Sequence, residues 1–349
     1  MKASVIIRSR NEADRLRLTL TSLVAQSTPA QVVVVNDGST DHTADVIAAA
    51  AQDLDLVAVQ HTRATGRSAA ANAGAAQATG DILIFLDGDT LAGPDLVAEH
   101  LISHSRPANV VARGENYHLR CTRAFRDPET GTPQPGEESR VGRMTAGELA
   151  RAVVTRQQIL TDFAAVDRRA QPGVYPGYGP RRLYELEMDA LRQDGACDVL
   201  WAAAAGANQS VPRKAFVESG GFHPDISINE HRELALRLCQ AGLKMVACVA
   251  RSYHMIHRSG WRDPLDDRDW EAVFYQAHPR TDVALLPILW QSLSDTHSVH
   301  ERARIFSLPQ LSAIAARYPT LDTPDAVRDA HMAAMNIPSS PTLDGELPR

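Results

Sequence analysis

No stretch of this sequence strings together the roughly 18 apolar residues that a membrane span needs, although 44% of its residues are hydrophobic. The opening "MKASVIIRSRNE" holds too short an apolar run for a secretory leader, so a cytoplasmic protein with no membrane span is expected. Cysteine is scarce: Cys121, Cys197, Cys239 and Cys248 stand apart, without the CxxC spacing of metal sites. Buried thiols in a reducing compartment are therefore expected over a disulfide framework. Basic excess is missing as well. With 36 Lys and Arg against 42 Asp and Glu, the formal net charge is −6, whereas a nucleic-acid binder would carry a basic stripe. No internal repeat is found, and no GxGxxG follows the first apolar run, which argues against a dinucleotide oxidoreductase.

What is there is an alternation. "SVII" (4–7), "VVVV" (32–35), "LVAV" (56–59), "ILIFL" (82–86) and "NVVAR" (109–113) read as strands, "VVVV" and "ILIFL" as buried ones. Between them lie helical stretches: one placing Leu16, Leu20, Leu23 and Val24 on a single face, one capped by Thr40 or Asp41 and running through Ile47, an Ala-rich one over 67–78, and one whose first turn takes Pro94. Strands alternating with helices predict crossover units, a mainly parallel sheet and an α/β nucleotide-binding architecture. "RDPETGTPQPGEESR" (126–140) reads as an exposed loop. Residues 146–166 and 182–191 read as helices, as does most of 264–335, where Trp270, Phe274, Leu285, Leu289 and Trp290 are available for packing. The tail from 336 is expected to be disordered.

Charged residues stand where buried strands surface. "GDILIFLDGDT" (80–90) runs from an apolar strand into Asp87, Gly88 and Asp89, and in open parallel sheets ligands gather beyond such strand ends. "VVNDGSTD" (34–41) likewise puts Asn36 and Asp37 at a strand terminus. Either stretch alone is equally a turn. "GGFHPDISINEHRELALRLCQAG" (220–242) opens a helix with Glu230 and His231, its Leu234, Leu238 and Ala241 facing the core, and "ARSYHMIHRSGW" (250–261) adds His254 and His257.

Taken in order, "SVIIRSRNE", "VVNDGSTD", "GRSAAANAGAAQATGDILIFLDGDT" and "GGFHPD…NEHRELALRLCQAG" resemble the family 2 glycosyltransferases of the GT-A fold. Each motif is weak, and the ordered set is strong. The resemblance implies a GT-A sheet flanked by helices, divided into a nucleotide-sugar-binding half (1–117), an insertion at the acceptor side (118–197), the rest of the catalytic domain (198–260), a helical extension (261–335) and a tail (336–349). It implies that Asp37 holds the nucleotide base with Asn36 beside it, that Gly66 and Arg67 lie near the nucleotide, that Asp87 touches the ribose, and that Asp89 of the DxD-like "DGD" binds a divalent cation, Mn²⁺ or Mg²⁺. "RSYH" (251–254) is similar to an element of the polypeptide N-acetylgalactosaminyltransferases in which the histidine completes the metal site. That implies His254 as a ligand, with His257 its competitor.

The chemistry asks for the same groups. A departing nucleoside diphosphate carries charge that a divalent ion neutralises, and Mn²⁺ accepts imidazole as well as carboxylate. One departure stands out: where the resembled family has Glu-Asp, with the Asp as base, this chain has Glu230 and His231. An ordinary histidine titrates near 6.5 and can serve as a base, so either residue is a candidate, and inversion is narrowly favoured over retention. The expected partners are a nucleotide-sugar donor, a UDP-sugar by family prevalence, and a small-molecule or glycan acceptor, with Tyr117, His118, Arg120 and Trp201 as acceptor-side candidates. A nucleotidylyltransferase would need a lysine-containing glycine loop where "RSRNEADR" stands. A non-catalytic sugar-nucleotide or carbohydrate binding protein on the same scaffold stays open.

Overall fold

The first apolar run forms β1 (Ala3–Ser9), followed by α1 (Ala13–Val24), β2 (Gln31–Asp37), α2 (Thr43–Ala50), β3 (Leu56–His61), α3 (Arg67–Ala76) and β4 (Ile82–Asp87). The computed structural model describes residues 1–105, 109–172, 183–193, 195–257, 263–264, 268–292 and 307–335. Strand pairing runs β3-β2-β1-β4, all parallel. The chain thus builds outward from β1 to β3 and then returns to lay β4 on the other side of β1. That reversal makes the β1/β4 boundary a topological switch point, where ligands bind beyond the strand ends.

The two crossover directions put helices on both faces. Leu16 and Leu20 of α1 and Val46 and Ile47 of α2 pack with Val5, Ile7, Val32, Val34, Ile84 and Leu86. Ala71 and Ala75 of α3 pack with Ile6, Val33, Leu83 and Phe85 on the opposite side. Burial on both faces explains the unbroken apolar runs of β1, β2 and β4, each fully buried aliphatic side chain contributing about 1.5–3 kcal/mol, whereas the edge strand β3 is only partly covered. The small residues of α3 follow from how near it lies: a Cβ on Gly74 would come within 2.7 Å of Ile6 Cγ2 and 2.9 Å of Val35 Cγ2. Val24, expected on the buried face of α1, is 43% exposed at the helix end.

Beyond β4 come β5 (Thr90–Ala92), α4 (Leu96–Ser105) and β6 (Val110–Leu119). The insertion carries a hairpin of β7 (Phe125–Asp127) and β8 (Thr132–Pro133), the helices α5 (Glu138–Val141), α6 (Ala146–Ala152), α7 (Arg156–Thr161) and α8 (Phe163–Asp167), then β9 (Gln171–Pro172) and α9 (Leu183–Gln193). The helix expected over 146–166 is three short ones. Thr145 with Glu148 and Thr155 with Gln158 form capping boxes, and Asp162 caps the third, each restarting the helix. The loop expected at 126–140 contains most of the hairpin, because Asp127 is buried and takes the Arg17 guanidinium at 3.2 Å.

The chain returns with β10 (Gln209–Pro212), α10 (Arg213–Glu218), α11 (Glu230–Gln240) and β11 (Lys244–Met255). The sheet continues from β4 as β10-β6-β11-β5. β10 is antiparallel to both neighbours, β6 and β11 are parallel, and β5 is antiparallel to β11, so this half is mixed. β6 crosses the boundary expected at 117/118, since His118 and Leu119 pair with His254 and Met255. In α11, Leu234 and Leu238 are buried as expected, but Ala241 is the exposed C-cap. The extension is α12 (Trp270–Ala277), α13 (Thr281–Ala284), α14 (Leu286–Ser292), α15 (Leu308–Arg317) and α16 (Pro324–Met335). Phe274, Leu285 and Leu289 join the core, while the Trp290 side chain and the tail 336–349 lie outside the described residues. Among the described residues no helix is long and apolar enough to cross a membrane.

Candidate active site

Arg8 and Asp87 are register partners at the carboxyl ends of β1 and β4, across the switch point. Arg8 Nε donates to Asp87 Oδ1 at 3.1 Å and its Nη1 to Glu230 Oε1 at 2.7 Å. Burial works against the guanidinium charge, but the two carboxylates outweigh it and hold Arg8 protonated. A cavity opens there, lined by Arg8, Arg10, Glu12, Asp37, Arg67, Ala70, Asp87, Asp89, His254 and His257 together with the Ser9 and Gly88 turn. Three arginines lining one cavity with the Asp87 and Asp89 carboxylates suit an anionic ligand with a cation beside it.

The Asp-Gly-Asp turn is fixed by its neighbours. Gly88 N–H donates to Arg8 O at 3.2 Å, and Thr19 Oγ1 donates to Gly88 O at 2.9 Å. A Cβ on Gly88 would lie 2.8 Å from Ser9 Oγ, so only glycine lets β1 and the turn approach this closely. Met255 N–H donates to Asp89 O at 2.9 Å, pinning the turn to β11. Asp89 Oδ2 then faces two imidazoles, His254 Nε2 at 3.2 Å and His257 Nε2 at 2.8 Å. One ligand atom from each of these three residues lies within 4.8 Å of the others.

Burial opposes ionisation of Asp89, yet the bonds and charges of His254 and His257 carry its carboxyl well below the usual range. The same pairing, against burial, raises His257. Glu12, with Oε1 3.7 Å from His257 Nε2, is pushed up to about 8 by burial and by the Asp89 charge. One ionised carboxylate and two imidazoles form a donor set that fits a divalent transition ion. Both histidines share Asp89, where only one of them was expected to.

At the end of β2, Asp37 lines the cavity, but most of its capacity is used within the chain. Oδ1 receives the Thr65 N–H (2.8 Å), the Thr65 hydroxyl (2.7 Å) and His61 Nδ1 (2.7 Å), and Oδ2 receives the Gly66 N–H (3.0 Å). Burial opposes its charge and these donors outweigh it, lowering its pKa. Gly66 sits at φ 98°, where a side chain would be strained, and leads into α3. Arg67 lines the cavity, and its backbone N–H donates to Asp263 Oδ2 at 2.8 Å. Asn36 is set apart from the cavity: it is 2% exposed, with Nδ2 on Gln60 and Oδ1 accepting the Ser39 N–H, and it shapes the turn.

Glu230 and His231 open α11 behind Arg8. Glu230 is 3% exposed; burial opposes its charge, and Arg8 and His231 outweigh that and depress its pKa. His231 Nδ1 lies 3.6 Å from Glu230 Oε2, and burial lowers its pKa, so the imidazole is neutral.

Of the acceptor-side candidates, Trp201 is a correction: it is 1% exposed in the core, its indole N–H reaching Asp282 Oδ2 at 3.2 Å. A side chain buried that far has no surface for an acceptor. Tyr117 stacks with Tyr253 and carries Arg251 over its ring, and Arg120 starts a 3₁₀ turn. Neither lines the cavity among the described residues. His118 is buried against His254, Nδ1 to Nδ1 3.3 Å. Arg8, Arg10 and Glu12 are charged cavity residues to which no role was expected from the sequence, though "IIRSRNE" shows charges leaving a buried strand as clearly as "LDGD" does.

Known proteins resemble this chain in sequence and in fold. Residues 4–143 match the family model described as glycosyl transferase family 2. The chain is 38% identical over 116 residues to the uncharacterized glycosyltransferase YfnE of Bacillus subtilis (strain 168), covering 33% of this chain and 30% of that one. It is 32% identical over 253 residues to the validoxylamine A glucosyltransferase of Streptomyces hygroscopicus subsp. jinggangensis (strain 5008), covering 69% and 52%. The chain thus spans about half or less of these relatives' lengths. The crystal structure of Staphylococcus aureus TarS 1–349 in complex with UDP-GlcNAc shares the fold, with a TM-score of 0.51, 15% identity, and coverage of 96% of this chain and 82% of that one. The matched segment, the relatives and the fold together support a family 2 glycosyltransferase of the GT-A fold.

Proposed function

We propose that the protein transfers a sugar from a nucleotide-sugar donor to an acceptor hydroxyl, with a divalent cation and with inversion of configuration. The observation that carries this reading is the convergence of Asp87, Asp89, His254 and His257 with Arg8, Arg10 and Arg67 on one cavity at the switch point. Asp89, His254 and His257 would hold the ion, Mn²⁺ in preference to Mg²⁺ because two of the three donors are imidazoles. The ion, when bound, would neutralise the charge on the departing diphosphate. Arg67 and Arg10 supply further positive charge for the phosphates. Asp87, fixed by Arg8, is assigned to the ribose. Asp37, with one bond to its Oδ2, is assigned to the base, and Gly66 shapes the loop beside it.

His231 is the base we assign. Glu230 is engaged by Arg8 and held ionised with a depressed pKa, which makes it a poor proton acceptor. It instead faces His231 Nδ1, an arrangement that leaves Nε2 to take the acceptor proton, and such contacts tighten once substrate is bound. In that step the acceptor oxygen bonds to the anomeric carbon, the carbon–phosphate-oxygen bond breaks with its electron pair leaving on the diphosphate, and the proton ends on His231. A UDP-sugar is the favoured donor by family prevalence. A small-molecule or glycan acceptor is in keeping with a relative named for glucosylating validoxylamine A. NMR of the product linkage tests the stereochemistry: an anomeric configuration opposite to the donor's is expected, and retention removes the base role from His231 and Glu230.

A further inference from the structure

His118 and His254 are register partners on the parallel strands β6 and β11, and Thr90, next to Asp89, pairs with His254 from β5 on the other side. The imidazole of His254 therefore sits between Asp89 and His118. Its Nε2 lies 3.2 Å from Asp89 Oδ2 and its Nδ1 lies 3.3 Å from His118 Nδ1. Two ring nitrogens at that separation attract when one carries a hydrogen and the other a lone pair. For His254 to offer Nε2 to a cation, its hydrogen must be on Nδ1, so His118 Nδ1 is the acceptor and His118 carries its own hydrogen on Nε2. His118 is 7% exposed, held by backbone pairing to β11 and β9, so its ring is a fixed reference for its neighbour.

We propose that His118 is a positioning residue that fixes the tautomer and the ring direction of His254 as a metal ligand. This rests on the metal-dependent reading above. Metal-bound histidines characteristically donate their second ring N–H to a carboxylate, a carbonyl or water. Here a neutral imidazole takes that place. The choice suits a crowded site, because Asp87 and Asp89 already line the cavity with Glu12 beside them, and a further carboxylate would add repulsion among buried acids.

The test is Mn²⁺ titration of the full chain, followed by the EPR signal of the free ion, with pulsed EPR counting the imidazole nitrogens bound to the metal. Two nitrogens are expected in the wild type. His118→Phe keeps a ring and removes the acceptor, and should weaken Mn²⁺ binding about 10- to 100-fold with loss of one nitrogen. His118→Asn, whose amide oxygen sits close to the place of Nδ1, should restore both. If His118→Phe does not fold, His118→Ala replaces it in the comparison with His118→Asn. Wild-type affinity and nitrogen count in His118→Phe or His118→Ala, beside a weakened His254→Ala, overturn the role of His118 alone. So does a His118→Asn chain as impaired as the acceptor-free variant. Absence of Mn²⁺ binding in the wild type overturns the metal-dependent reading itself.

Discussion

Arg8 and Glu230, 222 positions apart in the sequence, meet through Nη1 and Oε1 at 2.7 Å. The pair joins the end of β1 to the start of α11, and Asp87 on the same guanidinium adds the end of β4. One arginine thus ties the donor side of the cavity to the residues assigned to the acceptor. Both partners are largely buried, with side-chain exposures of 16% and 3%, so removing Arg8 strips the buried Glu230 carboxylate of its guanidinium. Arg8→Met should cost about 3–5 kcal/mol in urea unfolding, and Arg8→Met/Glu230→Gln should recover a substantial part. Additive losses in that double-mutant cycle would contradict the coupling.

His254 and His257 both present Nε2 to Asp89 Oδ2. His254→Ala and His257→Ala should each lower Mn²⁺ affinity at least about tenfold, since even outer partners of metal ligands are worth that much. Calorimetry showing wild-type affinity in His257→Ala would remove it from the ligand set and leave the expectation of a single histidine from the motif.

His100 and His104 lie outside the site and report on the fold. Their Nδ1 and Nε2, respectively, share the Ser210 hydroxyl at 2.8 Å, and His100 Nε2 reaches Asn208 Oδ1 at 2.8 Å. Burial lowers each from 6.5 to about 4. The unfolded chain therefore binds more protons than the native one between those values. Stability is fully present above about pH 6.5 and is lost as pH falls toward 4, by a few kcal/mol in all. Thermal unfolding should show a falling Tm from pH 7 to pH 4.5, and a shallower fall in His100→Asn/His104→Asn. An equally steep fall in that variant would place the titration elsewhere.

The nucleotide-side half was legible because burial on both faces writes β1, β2 and β4 as apolar runs, with Asp87 and Asp89 at the end of β4, while β3 is an apolar edge strand only partly covered. The insertion was less so. Its helices are cut by side-chain caps at Thr145, Thr155 and Asp162, a signal present in the sequence but overridden by the apolar period of 146–166. Trp201 and His118 show a different limit. Both looked available for an acceptor, and both were taken inward by long-range partners, Asp282 and His254, which no local pattern announces. Arg8 was hidden the same way: its meaning lies in Glu230, far along the chain.

Metal-dependent transfer is tested most directly by release of nucleoside diphosphate from a panel of nucleotide sugars in the presence of Mn²⁺, comparing the wild type with Asp89→Ala. Asp89 is the carboxylate on which both imidazoles converge, and without it the developing diphosphate charge is poorly compensated. Mn²⁺-stimulated release by the wild type from at least one donor is expected, and its loss in Asp89→Ala with the fold intact by circular dichroism. Mn²⁺-stimulated release that is unchanged in Asp89→Ala would contradict the role of Asp89 in metal-dependent transfer.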